Sequence, residues 1–280
     1  MAANSHLPVK ASAVESESGP TLVERFLGTI GRTFLDFLQA TGRFGLFTGR
    51  SLSAIVQPPI YVRQLLRQMV EIGYYSLPVV GLTALFTGMV LALQSHTGFA
   101  RFQAEGAVAT VVVLSMTREL GPVLGGLMVA GRIGASMAAE IGTMRVTEQI
   151  DALMTLSANP HKYLIVPRLL AGVLMLPLLV LVADIVGVFG GFLISVYQLD
   201  FNAATYLQRT IDYLKTEDVV LGLVKGAVFG FIITLMGCYC GFASKGGAQG
   251  VGRATTNAVV SASILILLFN YVLTGLFFSR

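Results

Sequence analysis

Five long apolar stretches dominate the chain, at about residues 74–94, 106–131, 163–197, 219–243 and 254–278. Roughly 20 predominantly apolar residues are enough for a helix to cross the hydrocarbon of a bilayer. In that medium a backbone amide must find its partner within its own helix or in a closed barrel. Stretches of this length predict an all-α membrane protein with about five transmembrane helices. The third is longer than a crossing needs, so it should tilt or protrude. Composition agrees, because only 12% of the 280 residues are charged, about half the ~25% of a soluble domain. No internal repeat is visible.

The first 73 residues read differently. Residues 1–20 are polar and rich in Ser and Ala, with no apolar core of a secretory signal, and are expected to form a disordered tail. Thr21-Leu-Val-Glu24 fits a capping box. Leu22, Phe26, Ile30, Phe34, Phe37 and Leu38 then recur at helical spacing, with Glu24, Arg25, Arg32 and Asp36 between them. Such a helix is too charged to cross and should lie along the membrane surface, with Gly42 and Gly45 loosening its end. Gln57-Pro58-Pro59 breaks the chain. A second amphipathic stretch at 60–73 sets Arg63, Arg67 and Glu71 against Leu65, Leu66 and Met69. The expected organisation is a tail (1–20), interfacial helices (21–73) and a transmembrane domain (74–280).

The net charge of +4 does not indicate nucleic acid, because the basic residues form no cluster with interleaved aromatics. With five spans, Arg25, Arg32, Arg43, Arg50, Arg63, Arg67, Arg132, Arg145, Lys162, Arg168, Lys245 and Arg253 collect on one side, and Arg101, Arg209, Lys215 and Arg280 on the other. The positive-inside rule makes the first side cytoplasmic. The N-terminus is then inside and the C-terminus outside. Cys238 and Cys240 lie within an apolar run without a His or further Cys nearby, a pattern expected of buried thiols and not of a metal site.

Charges inside a span cost about 2.5–3.5 kcal/mol each on insertion scales, and three sites stand out. Arg118 and Glu119 sit near the middle of the second span, just before Gly121-Pro122; Asp184 is mid-way along the third; Lys225 is about two turns into the fourth. Adjacent residues point about 100° apart on a helix, so Arg118 and Glu119 need separate partners. Lys225 is the candidate for Glu119 and Asp184 the candidate for Arg118. A polar pocket for a charged headgroup is one reading, and a packing ion pair is the other. Gly222, Gly226 and Gly230, Gly237 and Gly241, and Gly187 and Gly191 are spaced four apart, the stripe that lets helices approach closely. No strand precedes these glycines and no Gly-Lys-Ser/Thr follows them, so the chain carries no nucleotide site of its own. Between the second and third spans, at about 140–157, a short amphipathic helix is expected. Thr147 would cap it, Glu148 and Asp151 would occupy its first turn, and Ile150, Leu153 and Met154 would form its apolar face. That shape suits either a docking element for a soluble motor or a membrane-surface helix.

Several runs resemble the MlaE-type permeases, the membrane subunits of ABC transporters that work with mammalian-cell-entry (MCE) proteins on phospholipids. They are Thr117-Arg-Glu-Leu-Gly-Pro122, Ala130-Gly-Arg-Ile-Gly134, Ala139-Glu-Ile-Gly-Thr-Met-Arg145 and Thr147-Glu-Gln-Ile-Asp-Ala-Leu153. Leu82-Thr-Ala-Leu-Phe-Thr-Gly-Met-Val-Leu-Ala-Leu-Gln94 and Gly252-Arg-Ala-Thr-Thr256 extend the match, and Lys225 fits the family's intramembrane lysine. The resemblance implies a homodimeric permease of the bacterial inner membrane that helps to maintain outer-membrane lipid asymmetry. It implies an ABC ATPase dimer, which would hold the ATP and Mg, docked beneath Glu140, Arg145, Glu148, Gln149, Asp151 and Leu153. It also implies a periplasmic hexamer of MCE-domain proteins and a small STAS-domain subunit, separate because the tail is too short to contain one. Phospholipid would bind at Arg118, Glu119 and Lys225, with Val90, Leu91 and Phe102 against its chains. No cofactor is implied for this chain, and no enzymatic activity. Two other readings remain open from the residues alone: an ion-coupled secondary transporter using Glu119 and Asp184 as a relay, and a scaffold that only anchors an ATPase.

Overall fold

A computed structural model describes residues 22–56, 61–101 and 105–278, and every regular element within them is helical. The tail, Thr21, Gln57-Pro58-Pro59 and Phe102 lie outside the described residues, as does the side chain of Glu24. The helices are α1 (Leu22–Val56), α2 (Val62–Ile72), α3 (Leu77–Ala100), α4 (Val108–Val146), α5 (Gln149–Thr155), α6 (His161–Tyr197), α7 (Ala203–Tyr213), α8 (Thr216–Phe242) and α9 (Gly247–Phe278). Five helical segments are long and apolar enough to cross a membrane: α2 running on into α3, then α4, α6, α8 and α9. They overlap the five expected stretches, but α2 continues into the first and α4 runs past 131 to Val146, so the short helix expected at about 140–157 is only Gln149–Thr155.

The chain divides into a unit ending at Leu46 and a second unit from Phe47 onward. In the first, α1 exposes Phe34, Leu35 and Leu38. Gly42 and Gly45 do not end this helix, which runs on to Val56. A helical glycine costs only about 1 kcal/mol. In the second unit Phe47 is buried against His161, Tyr239 and Phe242. There Ser51 Oγ donates to the Phe47 carbonyl at 2.8 Å and lies 3.1 Å from His161 Nδ1. These contacts hold the last turns of α1 helical.

Small residues set the core of the second unit. Val80, Ala84, Gly88 and Ala92 recur every four positions on α3 and are buried, forming the face that packs on α6. A Cβ at Gly88 would overlap the Gly187 carbonyl, so the two backbones touch. The stripe on α8 works the same way. A Cβ at Gly230 would overlap the Gly172 carbonyl, and one at Gly226 would lie 3.0 Å from Pro177 Cα. Further along, Cβ atoms at Gly237 and Gly241 would lie 3.1 Å from the Gly134 carbonyl and 2.9 Å from the Ala138 carbonyl. In lipid, where tails are as apolar as side chains, such close packing drives helix association. α6 and α8 therefore form the centre, with α3 and α4 against them and α9 packed on α8 and α4.

α4 is one helix with two π-helical turns, Met116–Leu120 and Ala130–Gly134. A π turn inserts an extra residue and re-aims the side chains beyond it. Two connections differ from expectation. The corner after α4 is made by Glu148 in the left-handed conformation (φ 59°), and Thr147 caps nothing, because its hydroxyl donates back to Thr143. The connection between the fourth and fifth spans is also shorter than the gap left between the expected stretches 219–243 and 254–278, because α9 already begins at Gly247.

Candidate functional site

The first π turn of α4 organises the intramembrane charges. Pro122 has no N–H, so the Arg118 carbonyl four residues earlier loses its usual helical donor. Lys225 on α8 fills that place, with Nζ 2.8 Å from the Arg118 carbonyl oxygen. The same ammonium donates to Glu119 Oε1 at 2.8 Å. Glu119 also accepts from Asn270 Nδ2 on Oε2 (2.8 Å) and from Thr274 Oγ1 on Oε1 (2.9 Å), both on α9. One carboxylate thus ties three helices together. Its surroundings are uneven: Lys225 is fully buried, whereas the Glu119 side chain keeps 38% of its exposure.

The expected Lys225–Glu119 pair is present. The expected Arg118–Asp184 pair is not. Arg118 Nε instead donates to Asp218 Oδ1 at 2.7 Å. Asp218 lies in the first turn of α8, where the helix dipole favours a carboxylate. Its Oδ2 accepts from the Lys215 backbone N–H at 3.3 Å. Arg118 keeps 31% of its side-chain exposure. Glu119 and Arg118 are consecutive on α4 with separate partners, and each keeps part of its exposure at this edge of the helix. Lys225 is fully buried, so the ammonium expected to meet a headgroup is not presented to one. Asp184 is buried and makes no hydrogen bond or ion pair with the described residues. Val90 is exposed and Leu91 half-buried on α3. Neither joins the Glu119 cluster, whose partners come from α8 and α9.

The motor-side candidates gather at the other end of α4. Arg145 donates to Asp151 Oδ1 at 2.6 Å and lies over the Phe242 ring, which braces the corner between α4 and α5. Glu140 pairs with Arg168 of α6 at 2.8 Å, and Arg168 also donates to the Leu164 carbonyl at 2.6 Å. Within α5, Ile150 is fully buried, Leu153 half-buried and Met154 exposed, so the expected apolar face is split. Glu148 and Gln149 are exposed at the corner. Among the described residues no cluster of His, Cys, Asp and Glu is arranged for a metal.

Sequence reasoning missed Asn270, Thr274 and Asp218. Asn270 and Thr274 interrupt an otherwise apolar run and stand four residues apart, hence on one helix face. That spacing was the available signal.

Comparison with known proteins places this chain in a family. The family described as Permease MlaE matches residues 65–276. A Rickettsia felis protein named "Probable ABC transporter permease protein" is 59% identical over 250 residues, covering 89% of this chain and 96% of its own. The intermembrane phospholipid transport system permease protein MlaE of Haemophilus influenzae is 32% identical over 260 residues, covering 92% and 99%. The chloroplastic trigalactosyldiacylglycerol 1 protein of Arabidopsis thaliana is 38% identical over 235 residues, covering 83% and 67%. Helices long enough to span, charges paired between them and an ordered match over most of the sequence agree, and the chain belongs to the MlaE permease family, as the multi-pass membrane subunit of an ABC transporter.

Proposed function

We propose that this permease moves phospholipid between the inner membrane and a periplasmic carrier of the MCE type, driven by ATP hydrolysed in a separate ATPase. The observation that carries the reading is the half-exposed Glu119–Arg118 edge, held in place by the buried Lys225. A phospholipid headgroup bears an anionic phosphate and often an ammonium. Arg118 offers a planar donor for phosphate, and Glu119 offers an acceptor for an amine. Lys225, Asn270 and Thr274 keep the carboxylate from following the ligand. The phospholipid transport system named for the Haemophilus relative supports the choice of cargo.

Coupling to the motor is routed through α4. Glu119 and Arg145 lie on one helix, and 26 intervening steps of about 1.5 Å place them roughly 39 Å apart. The Arg145–Asp151 brace and the Glu140–Arg168 pair make the α4–α5 corner a firm platform for the ATPase dimer, with Met154 and Leu156 exposed on it. The basic residues put this corner in the cytoplasm, and the C-terminus outside. On the outer face of α9, Ile264, Leu267, Leu268 and Tyr271 are exposed beside the Glu119 cluster, the surface left for a second copy. A homodimer would enclose the edge in a cavity between copies, with Val90 and Leu91 against the lipid chains. Beneath and above it would sit the ATPase with its STAS-domain subunit and an MCE hexamer.

The test is transfer of labelled phospholipid by the complex in proteoliposomes. Transfer should require ATP, persist when the proton gradient is collapsed, and fall at least tenfold in Arg118→Ala with assembly intact. Transfer that survives loss of ATP but stops with the gradient overturns the reading in favour of a secondary transporter. Wild-type transfer by Arg118→Ala removes the headgroup role.

A further inference from the structure

Under α7, between α4, α6 and the start of α8, lies a cavity of about 470 Å³ that the Glu119 cluster does not use. Ligand pockets typically enclose about 300–1,000 Å³. Its wall is hydrocarbon-like, with Val113, Ile185, Val188, Phe189, Phe192 and Leu207. Ile185 and Phe189 are 63% and 52% exposed, so the cavity opens sideways on the spanning helix α6.

One carboxyl, Asp184, stands in this wall and is only 5% exposed. It makes no hydrogen bond or ion pair with the described residues, and its Oδ1 is enclosed without a partner. Nearby hydroxyls do not serve it. Thr117 Oγ1 donates to the Val113 carbonyl at 2.8 Å, and Thr210 Oγ1 to the Tyr206 carbonyl at 2.9 Å. The neighbouring cations hold other carboxylates, Arg118 that of Asp218 and Lys225 that of Glu119. Two glycines make room for it. A Cβ at Gly121 would overlap Asp184 Oδ1, and one at Gly222 would lie 3.7 Å from Oδ2. A buried acceptor without a donor is uncommon, because it is costly.

We propose that this cavity is a second ligand site, separate from the headgroup edge, that takes a hydrophobic alcohol. The apolar body, a single long chain or a fused-ring skeleton, fills the wall, and its hydroxyl donates to Asp184. A hydroxyl both donates and accepts, so it satisfies the carboxyl whether or not that group is protonated. A phosphodiester is disfavoured, because its charge would enter an apolar wall that holds no cation to meet it. An ammonium is disfavoured, because it would be stripped of water for a single partner.

The experiment uses the full chain in lipid bilayers and a long-chain primary alcohol carrying a mid-chain diazirine, with attachment sites mapped by peptide mass spectrometry. Labelling is expected within residues 185–192 and 207–214. The unlabelled alcohol should compete about tenfold better than an alkane of equal length, the equivalent of one buried hydrogen bond. Ile185→Trp, at an exposed position in the mouth, should abolish the labelling. Asp184→Leu should erase the advantage of the alcohol, and Asp184→Asn, which keeps an acceptor, should retain it. Glu119→Gln should leave the labelling unchanged, which separates this site from the headgroup edge. Equal competition by the alkane means that the cavity takes only the tails of bulk lipid. Labelling that appears only when partner subunits are stripped away means that a partner helix covers it. Either result, or labelling indifferent to Ile185→Trp, overturns the proposal.

Discussion

Removing Glu119 alone should cost the permease at least as much stability as removing it together with Lys225. In Glu119→Leu, the fully buried Lys225 ammonium keeps only the Arg118 carbonyl, at 2.8 Å. Breaking a buried ion pair from one side costs about 3–5 kcal/mol. Because Glu119 is partly open to solvent, the lower end, about 3 kcal/mol, is the appropriate figure. In Lys225→Met the carboxylate still has Asn270, Thr274 and solvent, while the Arg118 carbonyl loses its donor opposite Pro122. That loss should cost about 1–2 kcal/mol. The double variant leaves no charge stranded, so its loss should fall short of the sum by about 2 kcal/mol or more. Reversible unfolding of the purified chain in mixed micelles measures all three. Losses that add within about 0.5 kcal/mol would refute the claim that Lys225 and Glu119 act as one unit.

Further outcomes follow from the same geometry. Gly88→Ala and Gly230→Ala force a methyl group into a backbone carbonyl and should each cost about 1–3 kcal/mol in the same unfolding assay, whereas Gly98→Ala, which meets open space, should be neutral or slightly stabilising. Asn270→Leu strips one donor from Glu119 Oε2 and should lower stability by about 1 kcal/mol, with a larger proportional loss in lipid transfer. Arg145→Ala releases Asp151 from the corner of α4 and α5; co-purification of the ATPase should drop severalfold while the melting midpoint of the permease alone stays nearly constant, since this bridge is partly exposed.

The five crossings were readable because a bilayer leaves little choice: about 20 apolar residues must be helical. The glycine stripes and the Lys225–Glu119 pair were readable too, since a charge at membrane depth needs a partner and few were on offer. The partner of Arg118 was not. Sequence places Asp184 inside a span and Asp218 at the start of one, and which of them meets Arg118 depends on how the π turn at Met116–Leu120 rotates α4 against its neighbours. Nothing in the residue pattern announces that extra residue except Pro122 itself. Asn270 and Thr274 give a weaker signal, because a single polar side chain in an apolar helix often bonds back to its own backbone. The corner at Glu148 escaped for a different reason. Sequence suggested an N-cap at Thr147, but tertiary packing of Ile150 and the Arg145–Asp151 bridge hold a left-handed residue there instead.

The central claim is that a phospholipid headgroup is held at the edge formed by Arg118 and Glu119. The most direct measurement is mass spectrometry of lipid retained by the gently extracted permease, wild type beside Arg118→Ala and Glu119→Leu/Lys225→Met. Phospholipid should remain with the wild-type chain after extensive washing and be lost from both variants while their fold persists. Equal retention in all three, or a wild-type protein that carries no phospholipid at all, would contradict the account.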